Sequence, residues 1–148
     1  MNDSELELLK NKCLFYTQFV IQKLSASPDA IKGMEETYRL VQKAYQMKRV
    51  KPLKAISADI DDQVLRYMPL PIALEFKNLI KERLKIDYVE VQEAYLQVIQ
   101  RILKREKIAN DQEYELSVNR IDEVFSDTSK TEELKILNKI VAEYEDQK

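Results

Sequence analysis

Apolar residues recur along nearly the whole chain with a period near 3.6, the repeat of one helix face. Over 3–24, Leu6, Leu9, Cys13, Tyr16, Val20 and Leu24 form one stripe, widened by Leu8, Phe15 and Phe19, which predicts a central helix. Ser25-Ala26-Ser27-Pro28 breaks it. Ser27 as an N-cap with Pro28 at the first helical position starts a second helix over 28–49, with Ile31, Met34, Tyr38, Val41 and Tyr45 on its inner face. On this reading Pro52 closes the second helix. A third runs over 53–67 on Leu53, Ile56, Ile60, Val64 and Met68. Pro69-Leu70-Pro71 then forces a turn, because proline disfavours helix in the residue before it.

The fourth helix, 71–85, carries Ile72, Phe76, Leu79, Ile80 and Leu84. The last three each open on a capping-box pattern: Asp87 with Glu90, Asn110 with Glu113, and Ser129 with Glu132. Their apolar faces are Tyr88, Val91, Tyr95, Val98, Ile99, Ile102 and Leu103; Tyr114, Val118, Ile121 and Phe125; and Leu134, Leu137, Ile140, Val141 and Tyr144. No segment alternates with period 2 and no glycine-based hairpin turn occurs. The expected fold is all-α: an irregular bundle of six or seven helices in one domain over 1–148. Residues 108–148 form an acidic C-terminal helical hairpin within it.

Composition narrows the chemistry. The 148 residues hold one glycine, no histidine, no tryptophan and one cysteine, where roughly ten glycines are usual for this length. One glycine cannot build a phosphate-binding loop or a dinucleotide fingerprint. Without histidine there is no Ser-His-Asp or Cys-His catalysis and no His-ligated metal. The Asp59, Asp61, Asp62 cluster fails as a calcium loop, because the positions that need glycine and glutamate hold Val64 and Leu70; it is expected to charge the first turns of a helix. Glu35, Glu36, Glu90 and Glu93 fall outside the apolar stripes and are expected on solvated faces. Cys13 is expected in the core. The stripe tyrosines are expected at its edge with their hydroxyls in water. Gly33, inside the second helix, is expected where another helix crosses closely. No catalytic, cofactor-binding or metal-ligating residue is assigned, and the chain is expected not to be an enzyme.

Charge is unevenly placed. Net charge is −2, yet residues 1–107 carry 19 basic and 15 acidic side chains and residues 108–148 carry 5 and 11. Two basic windows stand out: Lys48, Arg49, Lys51 and Lys54, and Arg101, Lys104, Arg105 and Lys107. Both read either as helix ends favoured by the macrodipole or as a phosphate-binding patch. An acidic N-terminus (Asp3, Glu5) and no apolar run of about 20 residues lead to a cytoplasmic expectation without a membrane span.

One stretch resembles a known family. The run Tyr114-Glu115, Val118, Arg120-Ile121-Asp122-Glu123, Val124-Phe125, followed by Glu132-Glu133-Leu134, Leu137, Ile140-Val141 and Tyr144-Glu145, is similar to the helical segment that precedes the helix-turn-helix domain of HigA-type antitoxins. The resemblance covers residues 110–146. The family's DNA-reading domain would follow, and the chain stops at Lys148, so DNA reading is not carried over. What the resemblance implies is a helical pair that meets a protein partner or a second copy, through Tyr114, Arg120, Phe125, Leu134 and Tyr144. Ser27-Pro28-Asp29 with the run from Met34 to Tyr45 also resembles the second half of a J-domain, but serine stands for its essential histidine, so co-chaperone activity is not implied. The expected function is a non-catalytic, antitoxin-like interaction or regulatory module. The alternative is a nucleic-acid-binding helical protein using both basic windows on one face.

Overall fold

The computed structural model describes residues 2–23 and 27–148, so the expectations placed on Leu24, Ser25 and Ala26 lie outside the described residues. The described residues form seven α-helices and no strand. These are α1 (Asp3–Lys23), α2 (Pro28–Gln46), α3 (Val50–Asp62), α4 (Leu70–Leu84), α5 (Val89–Arg105), α6 (Asp111–Val124) and α7 (Thr131–Asp146). A π-helical turn, Gln63–Tyr67, continues α3, closed by a bond from the Met68 amide to the Gln63 carbonyl, 2.8 Å. It keeps Val64 buried while Leu65 and Tyr67 face outward. The chain is all-α, as its periodicity predicts.

The residues group into two compact units: Met1–Met68 with Glu75–Tyr88, and Pro69–Leu74 with Val89–Lys148. In the first, α1 packs on α2 and α3, and α2 on α3. Cys13, Val41, Leu53 and Ile60 meet in the interior. Fully buried Phe76 of α4 is ringed by Phe15, Tyr16 and Phe19 of α1 and by Tyr88, with centroids 5.1–5.9 Å apart. Such tilted and edge-on pairs add about 0.5–1.5 kcal/mol each beyond area burial. In the second unit α5, α6 and α7 pack on one another through Val91, Tyr95, Ile99 and Ile102, through Leu116 and Val124, and through Leu137, Ile140 and Val141. α6 thus packs against α7, and α5 shares their core.

Helix ends depart from expectation where the chain reverses. Ser27 and Asn110 cap as predicted, accepting from the Ala30 amide at 3.2 Å and the Glu113 amide at 2.8 Å. Asp87 does not start α5 by capping it; its carboxylate faces the ammonium groups of Lys77 and Lys81 at 3.5 and 3.4 Å, which reach it from the last turns of α4. Asp127, not Ser129, begins the last helical segment, accepting from the Ser129 amide and hydroxyl ahead of a short turn, Thr128–Lys130. Those two bonds hold the Asp127 carboxyl below the usual carboxylate range. Pro52 does not close α2. It sits in the first turn of α3, where its missing N–H costs nothing.

The close of α2 is a Schellman motif. The Arg49 amide bonds the Ala44 carbonyl at 2.8 Å and the Lys48 amide bonds that of Tyr45 at 3.0 Å. Lys48 occupies the left-handed position at φ 54°, and Lys85 and Glu106 do the same beyond α4 and α5 at 59° and 54°. The residue suited to that conformation is glycine, yet the single glycine lies elsewhere. Gly33 is exposed in α2, and a Cβ there would meet no atom within 4 Å. The expected close helix crossing is absent, because residue 33 falls on the outer side of α2. Gly33→Ala is therefore expected to raise unfolding free energy by about 1 kcal/mol, and Lys48→Gly by about as much through relief of the left-handed backbone. Urea unfolding with an unchanged slope checks both.

Candidate functional site

The first unit encloses a charge. Lys12 lies on the inner face of α1, one turn from Leu8 and Leu9 and one from Tyr16, and is 8% exposed. Its ammonium donates to Ser57 Oγ at 2.7 Å and to Asp61 Oδ1 at 2.7 Å, two residues one turn apart on α3. Asp61 Oδ1 also accepts from the Tyr88 hydroxyl at 2.6 Å. Burial, and then this bond, push the Tyr88 phenol far above the usual tyrosine range. The aspartate cluster thus sits in the last turn of α3, not the first turns of a helix, and its middle member serves as acceptor for a lysine and a tyrosine. Asp62 pairs with Arg66 one turn on, 3.1 Å. A cleft of about 330 Å³ opens beside the cluster, lined by Glu5, Leu8, Leu9, Lys12, Ser57 and Ile86. Ser57 faces an ammonium paired with Asp61, so no base stands ready to take its proton. Cys13 is fully buried and its thiol is pushed up to about 11, chiefly by burial.

The second unit repeats the scheme. The Tyr95 hydroxyl donates to Glu123 and accepts from Asn119 Nδ2 at 2.9 Å. Burial, and then the Glu123 bond, hold its phenol far up. Arg120 Nε donates to Glu133 Oε1 at 2.7 Å, and Arg120 Nη1 lies 3.6 Å from Glu123. The tyrosine hydroxyls expected in water thus include three bound to carboxylates, since Tyr144 donates to Asp111 at 2.5 Å. Among the five expected partner residues, Tyr114 and Tyr144 stack on each other at 5.4 Å with Lys148 over both rings. Arg120 is held in its ion pairs and Leu134 is half-buried. Phe125 alone of the five is fully outward, 74% exposed.

Both basic windows are exposed, but they differ. The second lies at and beyond the C-terminal end of α5, and Arg105 is spent on Glu113, bonded through both nitrogens at 2.9–3.2 Å. Lys48, Arg49, Lys51 and Lys54 have no carboxylate within ion-pair distance among the described residues. The two windows belong to different units. Glu35, Glu36, Glu90 and Glu93 are exposed. Among the described residues no three carboxylate or thiol side chains gather as metal ligands, and no described helix is long and apolar enough to cross a membrane.

Sequence reasoning missed Lys12, Ser57 and Asp61 as a group. The signal was present: a lysine in phase with an apolar helical stripe must find an acceptor inside. Fold and clusters define an all-α protein of two small helical units, each with an internally satisfied polar group. No protein-family model matches the sequence, and no curated protein or solved structure was found to match it.

Two outcomes follow from these networks. Arg120→Ala leaves Glu133, whose side chain is 11% exposed, without its main cation, and is expected to cost about 2–3 kcal/mol in denaturant unfolding. The alkaline limb is the second. Tyr88 and Tyr95 bind their protons more tightly folded than unfolded. Their contribution is complete below about pH 10 and is lost as the pH climbs from there towards the folded values. Unfolding free energy should fall above pH ~10, and less steeply in Tyr88→Phe, measured by urea titrations at stepped pH.

Proposed function

We propose that this chain is a cytoplasmic, non-catalytic interaction module of regulatory, antitoxin-like type whose α6–α7 end receives a basic protein partner. Phe125 carries the reading. It projects at the close of α6, next to Val124, which is 2% exposed and anchors the backbone. Leaving a phenylalanine in water forgoes about 1.5–3 kcal/mol of burial, and aromatic side chains are enriched in the cores of interfaces. Asp122 and Asp127 flank it within a segment of 11 acidic and 5 basic residues, a field that steers a cationic surface. Arg120 ties α6 to α7 through Glu133, while Tyr114 and Tyr144 pair at the start of α6 and the end of α7. The likeness of 110–146 to the antitoxin segment supports a toxin-like partner, and the ammonium-bound Ser57 supports a non-catalytic role.

The test is co-purification of the tagged chain from its native host, beside Phe125→Ser. One stoichiometric partner of net positive charge is expected, falling about tenfold or more in affinity with the variant, while helical circular dichroism and the unfolding midpoint stay put. No stoichiometric partner, or equal recovery by Phe125→Ser, speaks against the reading.

A further inference from the structure

We infer that the α2–α3 elbow of the first unit binds the phosphate backbone of a nucleic acid, independently of the Phe125 surface. Between Thr37 and Ala58 the chain carries six cations, Arg39, Lys43, Lys48, Arg49, Lys51 and Lys54, and no carboxylate. Over the full chain acids outnumber bases, 26 to 24, so this run is a local reversal of sign. All six side chains are exposed. Among the described residues none of them forms an ion pair, whereas Lys12, Lys23, Arg66, Lys77, Lys81 and Arg105 all do.

Helix stability does not account for the run. Cations at the end of α2 are favoured by its dipole, which covers Lys43 and Lys48. Lys51 and Lys54 stand at the opposite pole, at the start of α3, where the dipole disfavours positive charge. That first turn contains no acid, and no side chain caps it. The cations therefore add to the positive end of α3 rather than offset a negative one. The backbone that presents them is held by the two Schellman bonds through Lys48 and Arg49. Lys10 adds a further ammonium over the Tyr45 ring, 4.3 Å from its centroid. By the same measure the second window, at the C-terminal end of α5 with Arg105 paired, is explained by helix stability alone.

A run of exposed, unpaired cations on two adjoining helices suits a linear polyanion, whose affinity comes from release of condensed counterions. An anionic membrane would require a continuous apolar face for insertion. Here the apolar face of α2 is turned inward at Val41 and Ala44, and only Leu40 and Met47 emerge as large exposed apolar side chains on the span.

The experiment is fluorescence anisotropy with a labelled 20-base-pair DNA duplex of mixed sequence, titrated between 50 and 200 mM salt. Phosphatidylserine vesicles and polyglutamate serve as competitors. Because the chain as a whole is negative, binding at 50 mM salt is expected only through the elbow, with a log–log salt slope of about −4 to −5. Lys51→Ala with Lys54→Ala should weaken binding about tenfold or more and reduce the slope by about 2. Arg101→Ala with Lys104→Ala, and Phe125→Ser, should bind as the unaltered chain does. All these positions are exposed, and circular dichroism confirms that each variant is folded. No binding at 50 mM salt, a flat salt dependence, equal loss from the second window, or displacement by vesicles or polyglutamate at equal charge would overturn the proposal.

Discussion

The first unit depends on an ammonium group that has left water. Lys12 is enclosed between α1 and α3, and stripping such an ion of its hydration costs several kcal/mol unless acceptors replace the water. Two acceptors at helical spacing on α3, Ser57 and Asp61, meet it, so α1 and α3 have one register in which the charge is satisfied. Asp61 then draws in the Tyr88 hydroxyl, and the Tyr88 ring completes the collar around Phe76. A single buried cation thereby couples helix register to the aromatic core that α4 enters.

The second unit meets the same constraint with different residues. Tyr95, buried on α5, needs a partner for its hydroxyl and finds Glu123 and Asn119 of α6. Arg120 stands between Glu123 and Glu133, linking α6 to α7. Three amphipathic helices could pack with several rotations about their axes. The polar chain from Tyr95 through Glu123 and Arg120 to Glu133 favours the one in which these groups find partners, although Ser117 Oγ on α6 is buried without one.

Such inward use of polar residues changes what the surface can mean. Tyr88, Tyr95, Tyr144, Arg120 and the carboxylates they bind are occupied within the fold, so the outward features carry more weight: Phe125 among acids, the elbow cations, and the exposed Tyr67 and Leu40. The first two sit next to helix ends, where the backbone is held by its own hydrogen bonds and the side chains are free to meet something else.

Helix number, approximate spans and the inner faces of α5 and α7 were legible in the sequence, because a 3.6-residue apolar repeat has one low-energy outcome when each stripe can find another. The face expected for α6 was not, since Tyr114, Val118 and Ile121 are only half-buried and Phe125 is exposed, while Leu116 and Val124 fill the core. The Ser27 and Asn110 caps were legible for a similar reason, as the side chain and the amide it accepts from lie within three residues. Gly33, Asp87, Ser129 and Pro52 were misread, because local pattern does not say which of several nearby partners wins. Asp87 had a capping role open to it, and lysines reaching from α4 took its carboxylate. The sequence by itself determined an all-helical chain without the glycines or histidines of common active sites. Only the tertiary structure decided that Lys12 finds its acceptors in Ser57 and Asp61, that Tyr95 binds Glu123 and that Arg120 binds Glu133. Those are properties of pairs of residues 13 to 49 positions apart, and no local period carries information over that distance.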